Sequence, residues 1–359
     1  VRVALVLEQA FAPAPGGTGR YSLQLAAALA LSGRAEVTGW TAWHRDLSPA
    51  QVEGVSGPRR LPADRRVLFR AWQRGWGWPL PGDVVHAPTP LAPPRGRRPL
   101  VVTVHDAVPW THPETLTARG VAWHRAAIAA AASGADAIIV PTAATARALA
   151  EHVPLRADPF VVPNAATPMP VPADAAVRRA RLGVPEAYLF TLATLEPRKG
   201  LDVLIAALGL RGAPDLPLVV AGDAGWGNLD LPALARAAGL APGRVQTLGR
   251  VGDDADLAAL FDGAALLAMP SRAEGFGIPV VEAMAAGVPV VISDDPALVE
   301  TGGDAVLVAP RGDAAALAET LTAALRDPAD RVARGLARAA GFTWERTATE
   351  TLAVYDAVR

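Results

Sequence analysis

Along the first half of the chain, short apolar runs alternate with Ala- and Leu-rich stretches whose apolar positions recur at helical spacing. The runs are Val1–Leu7, Val37–Trp40, Val84–His86, Leu100–Val104, Ala137–Val140 and Phe160–Val162. Strand and helix in turn predict a parallel sheet flanked by helices. From Val162 to Asp174 the pattern breaks: Pro163, Pro168, Pro170 and Pro172 punctuate a stretch without helical periodicity, which predicts an extended interdomain linker. The alternation restarts with Tyr188–Ala193, Leu218–Ala221, Val245–Leu248, Leu266–Met269, Val288–Ile292 and Ala305–Val308. The pattern therefore predicts two α/β domains, residues 1–165 and 166–342. In residues 343–359, Trp344, Thr347, Thr351, Leu352 and Tyr355 fall near helical spacing, so a closing helix that packs back on the first domain is expected.

Composition narrows the chemistry. At 359 residues the chain exceeds what one core usually holds, in keeping with two domains. A formal charge of −1 offers no basic footprint for nucleic acid. The absence of cysteine excludes disulfides, thiolate metal sites and cysteine nucleophiles. The run Val1–Leu7 lacks the features of a secretion leader, and no stretch reaches the ~18 apolar residues of a membrane span, so a cytoplasmic location is expected. Of 34 basic residues, only Lys199 is a lysine. Where arginine serves every other basic position, a retained lysine suggests a site that prefers a compact ammonium; chance survival is the plainer reading.

Several segments could carry chemistry. Ser271–Ile292 reads SRAEGFGIPVVEAMAAGVPVVI, a strand end, a glycine loop, a helix and a strand. Pro279 suits the first helical turn and Gly287 the left-handed residue after the last, so a helix is expected over roughly residues 278–286. Its first amides form an anion site that the preceding glycines leave open. Glu274 before it and Glu282 within it could accept sugar hydroxyls, or they could be favourable charges near a helix start. Arg198 and Lys199 follow the strand at Tyr188–Ala193, at a carboxyl end where open α/β sheets bind ligands, and could hold a diphosphate. The loop Gly16-Gly17-Thr18-Gly19 precedes a helix expected from about Arg20, and is either a backbone nest for phosphate or a plain turn. His105 closes the strand Leu100–Val104 and faces a ligand or the core. The remaining histidines lack metal-ligand spacing, so no metal is expected. Asp254-Ala255-Asp256 is read as the acidic start of a helix rather than a metal pair. Between Pro58 and Pro81, six arginines interleave with Phe69, Trp72, Trp76 and Trp78, a composition shared by membrane-contacting and ordinary surfaces.

Taken together, these motifs resemble retaining GT-B glycosyltransferases of family GT4, with the bacterial mannosyltransferase-like group most similar. The resemblance spans nearly the whole chain and rests on GGTGRYSLQLAAAL, VVTVHD, VVPNA, TLEPRKGLDVLIAAL, VVAGDAGWG and the glutamate, seven residues, glutamate pattern from Glu274 to Glu282. It implies two Rossmann-like doubly wound domains facing a cleft. It also implies that Glu274 and the amides of Gly275, Phe276 and Gly277 hold the donor sugar, that Glu282 binds the ribose, and that Arg198 and Lys199 neutralise the diphosphate. Gly17 would contact the diphosphate, His105 would lie beside the transferring sugar, and Arg250-Val251 would border the base. Ser293–Gly303 departs from the family pattern.

The implied activity is metal-independent transfer of a hexose, with retention, from a nucleotide diphosphate sugar. GDP-mannose is the first expectation for the donor, ahead of a UDP-hexose; the acceptor is a hydroxyl of a glycan, a lipid-linked sugar or a natural product. Residues 58–81 would supply any peripheral membrane contact. A nonhydrolysing nucleotide-sugar epimerase or a catalytically degenerate nucleotide-sugar-binding protein are the alternatives.

Overall fold

The computed structural model describes residues 1–13, 15–227 and 229–359. They divide into two units: residues 1–113, 117–165 and 343–359 form the first, and residues 114–116 and 166–342 the second. The division falls between Ala165 and Ala166, inside the proline-punctuated segment.

The first unit is built on strands β1 (Arg2–Val6), β2 (Glu36–Thr41), β3 (Ser56–Arg60), β4 (Val84–Ala87), β5 (Leu100–Thr103), β6 (Ala137–Val140) and β7 (Phe160–Val161). They pair in parallel in the order β3-β2-β1-β4-β5-β6-β7. Strands β4, β5 and β6 are buried at every residue, which is why they read as unbroken apolar runs and not as alternating ones. The sequence reading missed β3. Its residues, Ser-Gly-Pro-Arg-Arg, are poor strand formers, and proline and charge are tolerated there because the strand lies at a sheet edge.

The second unit holds β8 (Tyr188–Leu192), β9 (Leu218–Ala221), β10 (Val245–Gly249), β11 (Ala264–Met269), β12 (Val290–Ser293) and β13 (Leu307–Ala309). These are also all parallel, in the order β10-β9-β8-β11-β12-β13. Strand order reverses direction between β1 and β4 in the first sheet and between β8 and β11 in the second. At such a point the loops leaving two neighbouring strands diverge to opposite faces, and the gap they leave at the carboxyl edge is where this class of sheet takes its ligand.

The last helix, Trp344–Val358, packs against the helix Gly16–Leu31 within the first unit. Leu352, Val354 and Tyr355 join Tyr21, Leu25 and Leu29 in one apolar cluster. Thr343 caps its start, accepting from the Arg346 amide, and the Thr347 hydroxyl donates to the Pro163 carbonyl at 2.8 Å.

Candidate active site

The loops leaving β8 and β11 meet at the switch point of the second sheet. After β8 the chain makes one tight turn, Pro197–Lys199, and enters the helix Leu201–Leu208 through Gly200. Gly200 has φ +66°, and a Cβ there would lie 2.1 Å from the Pro270 carbonyl oxygen, so only glycine lets the two loops approach this closely. The Arg272 amide donates to the Arg198 carbonyl at 2.7 Å. The Arg272 guanidinium donates to both Asp202 oxygens, at 2.8 and 2.6 Å, and to the Pro197 carbonyl. These contacts lock the β8 loop onto the β11 loop.

Their effect is to bring Glu274 to Arg198 and Lys199, which lie 76 and 75 positions earlier in the chain. The Lys199 ammonium donates to Glu274 Oε1 at 2.5 Å, and Arg198 Nη1 donates to Glu274 Oε2 at 3.2 Å. The side chains keep only 17% (Arg198), 11% (Lys199) and 8% (Glu274) of their exposure. Burial pushes the Glu274 carboxyl up, but the Lys199 and Arg198 charges outweigh it and hold the carboxyl below its usual range. Burial, followed by the Arg198 charge, pushes the Lys199 ammonium below its ordinary value, with Glu274 opposing. Removing one partner from such a buried group costs about 3–5 kcal/mol, because the other charge is stranded.

Two further groups hold Glu274, and the sequence reading named neither as a site residue. The Ser271 hydroxyl donates to Glu274 Oε1 at 2.9 Å, and the Ser293 hydroxyl fixes that turn by donating to the Ser271 carbonyl. Asp295 Oδ2 accepts from the Glu274 amide at 3.4 Å, while Oδ1 accepts from the Ala297 and Leu298 amides at the start of the helix Pro296–Gly302. Burial, reinforced by the Glu274 charge, pushes the Asp295 carboxyl up to about 6. Both residues had a local signal: serine three positions before glutamate, and aspartate directly before a proline that opens a helix.

The helix after Glu274 spans Ile278–Ala285, with Gly277 left-handed before it (φ +86°) and Gly287 left-handed after it. A Cβ on Gly277 would meet Leu298 Cδ2 at 2.5 Å. The Phe276 ring is buried, edge-on to Phe342 at 5.5 Å, so this residue has only its backbone to offer a ligand. Glu282 is buried on the same helix. Arg250 is exposed beyond the end of β10, two strands from β8, and Val251 packs against the apolar cluster that contains Phe276. Asp253 caps the helix Asp254–Gly263, and Asp256 accepts from Arg178 and Arg181, which accounts for that acidic run. No group of three or more metal-ligating side chains occurs among the described residues.

Gly17 and His105 belong to the first unit. The helix there begins at Gly16, not near Arg20, so Gly16–Gly19 is its first turn rather than a preceding loop. Pro15 and the small residues that follow open the helix directly, and the Gly19 amide already donates to the Pro15 carbonyl. Gly17 is exposed, in the turn whose amides lack intrahelical acceptors. His105 is half-buried, with Nε2 2.8 Å from the Pro88 carbonyl and its ring edge-on to Tyr21 at 4.8 Å. Burial pushes its pKa down.

Two family models match the chain, one on each half. The family model for glycosyl transferases group 1 matches residues 176–339, and that for glycosyltransferase family 4 matches residues 15–168. The O-antigen chain mannosyltransferase B of Escherichia coli is 38% identical over 176 residues, 47% of this chain and 46% of that protein. The D-inositol 3-phosphate glycosyltransferase of Segniliparus rotundus is 36% identical over 52% of this chain and 44% of its own length. The chain thus spans about half the length of these two relatives. It is also 30% identical to the phosphatidyl-myo-inositol mannosyltransferase of Mycobacterium leprae, over 100% of this chain and 97% of that one. Among solved structures, the sucrose-phosphate synthase of Thermosynechococcus elongatus superposes with a TM-score of 0.75 at 22% identity, covering 99% of this chain and 98% of the other. Anabaena Alr3699/HepE, solved with UDP and glucose, gives 0.75 at 21% identity, with 99% of each chain covered. The fold is that of the two-Rossmann, GT-B class of transferases. The chain belongs to glycosyltransferase family 4.

Proposed function

We propose that this enzyme transfers mannose, with retention and without a metal ion, from GDP-mannose to a hydroxyl of a glycan, lipid-linked or natural-product acceptor. The observation that carries the reading is the buried group Arg198, Lys199 and Glu274 at the switch point of the second sheet. In this reading Arg198, Lys199 and the first turn of the helix Ile278–Ala285 receive the charge that grows on the leaving diphosphate, so no divalent cation is required. Glu274 and the amides of Gly275, Phe276 and Gly277 hold the sugar, Glu282 the ribose, and Arg250-Val251 the base. Gly17 adds a contact to the diphosphate, and His105 lies beside the transferring sugar. The mannose donor is supported by mannosyltransferases among the relatives.

The step is a front-face displacement. The bond from the anomeric carbon to the donor phosphate oxygen breaks, the acceptor oxygen bonds to the same face, and the departing phosphate oxygen takes the acceptor proton. A glycosyl-enzyme adduct trapped in mass spectrometry would refute this route.

The acceptor side is read from the first unit. The helix Arg65–Gln73 buries Leu68 and Trp72 but exposes Arg66, Val67 and Arg70, and Arg74, Trp76 and Trp78 beyond it are exposed too. This face suits an anionic membrane surface. Sedimentation with anionic vesicles, weakened by Arg66→Glu with Arg70→Glu, tests it.

The donor reading is tested by thermal unfolding with a panel of nucleotide sugars. A donor at about 100 times its Kd adds about 2.7 kcal/mol. Stabilisation by GDP-mannose that disappears in Lys199→Ala supports the reading; stabilisation by a UDP-hexose instead corrects the donor. No stabilisation by any of them overturns it.

A further inference from the structure

The two cations of the group are already balanced. Lys199 is paired with Glu274 at 2.5 Å, and Arg198 lies between Glu274 at 3.2 Å and Glu196 at 3.6 Å. Two carboxylates therefore face two cations, and all four side chains are at least four-fifths buried. A diphosphate that reaches Lys199 and Arg198 must share them with Glu274, at a place where screening by water is weak. Two like charges on one desolvated partner repel strongly.

Resting on the donor reading above, we propose that Glu274 is an internal competitor of the diphosphate, and that it discriminates the sugar-bearing donor from the bare nucleoside diphosphate product. The discrimination follows from the hydrogen-bonding inventory of the two ligands. A nucleotide sugar brings hydroxyl donors that can take over the Glu274 oxygens as the phosphates take over Lys199 and Arg198, so every charged group ends with partners. The bare diphosphate brings one more negative charge and no sugar hydroxyl. Glu274 then keeps its hold on Lys199, and the product is expelled. Ser271 makes the competition steep, because its hydroxyl bonds to the same Oε1 that Lys199 holds and keeps the carboxylate from swinging away.

The probes are inorganic diphosphate, which has neither base nor sugar, and the nucleotide sugar that stabilises the enzyme best. Both are titrated calorimetrically into wild type, Glu274→Gln and Lys199→Ala. Glu274→Gln is expected to bind inorganic diphosphate on the order of tenfold more tightly than wild type while binding the nucleotide sugar no more tightly. Lys199→Ala is expected to lose both ligands. Glu274→Asp, which keeps the charge but draws it back from Lys199, is expected to gain less, and it carries the test if the glutamine variant does not fold. Diphosphate affinity that is unchanged or reduced in the Glu274 variants overturns the proposal but leaves the donor site standing. Nucleotide-sugar binding that survives in Lys199→Ala overturns the donor site itself, and this proposal with it.

Discussion

The second unit draws charge into its interior. Lys199, Arg198 and Glu274 sit together at the carboxyl edge, each nearly buried, and are tied down by Ser271 and Asp295. The first unit buries the Glu8 carboxylate beyond β1, beside His44 and Arg65, but around β4 and β5 it holds a neutral hydrogen-bonded network. His86, fully buried, lies 2.6 Å from the Tyr355 hydroxyl through Nδ1 and 2.9 Å from the Thr103 hydroxyl through Nε2. Thr103 is in turn 3.4 Å from the Tyr21 hydroxyl, and Tyr21 backs the His105 ring. Burial pushes the His86 pKa down to about 3, so its neutral ring accepts one hydrogen bond and donates the other. Both sheets are parallel and both switch points lie at the carboxyl edge, yet the second gathers a buried charged group there and the first a neutral network around His86. The lesson is that strand order fixes where a ligand can sit, and the side chains at each strand end decide which ligand.

The largest expected effect comes from breaking the charged side. Lys199→Ala should lower the transfer rate about 10²–10³-fold, as loss of one preorganised group facing a developing charge does elsewhere; steady-state kinetics with the preferred donor checks this. The neutral side should respond in stability. Tyr355→Phe leaves a buried His86 nitrogen without its partner and should cost about 1–3 kcal/mol in denaturant unfolding. Donor binding should be unaffected.

The effect at Asp295 depends on pH. Its carboxyl titrates near 6 when folded, above the usual 3.8, so the folded state holds a proton that the unfolded state has released. This group's contribution is therefore present in full at low pH and is lost as pH rises through about 6. Asp295→Asn removes that slope while keeping an acceptor for the Ala297 and Leu298 amides. The stability difference between wild type and variant should move by about 1.4 kcal/mol per pH unit between pH 4 and 6 and level off above it.

Much of this was legible in the chain. Continuous apolar runs located all the strands except β3, where proline and arginine at a sheet edge carry no apolar signal. The single lysine pointed to Lys199, and the glycine-framed helix start pointed to Glu274. That the two share a hydrogen bond was not legible, because it depends on the approach of two loops across Gly200 and Pro270. The His86–Tyr355 bond joins residues 269 positions apart, and no periodicity in either segment announces it. The start of the helix Gly16–Leu31 was placed four residues late because four small residues in a row read as a turn, whereas packing of Tyr21, Leu25 and Leu29 on the last helix sets its extent.

The central claim is that the charged group of the second unit binds the donor while His105 of the first unit serves the transfer step. It is tested most directly by titrating the preferred nucleotide sugar into wild type, Lys199→Ala and His105→Ala, with turnover measured on the same samples. The account predicts that Lys199→Ala loses donor binding, and that His105→Ala binds within a few-fold of wild type yet turns over far more slowly. Full donor affinity in Lys199→Ala, or its loss in His105→Ala alone, would contradict it.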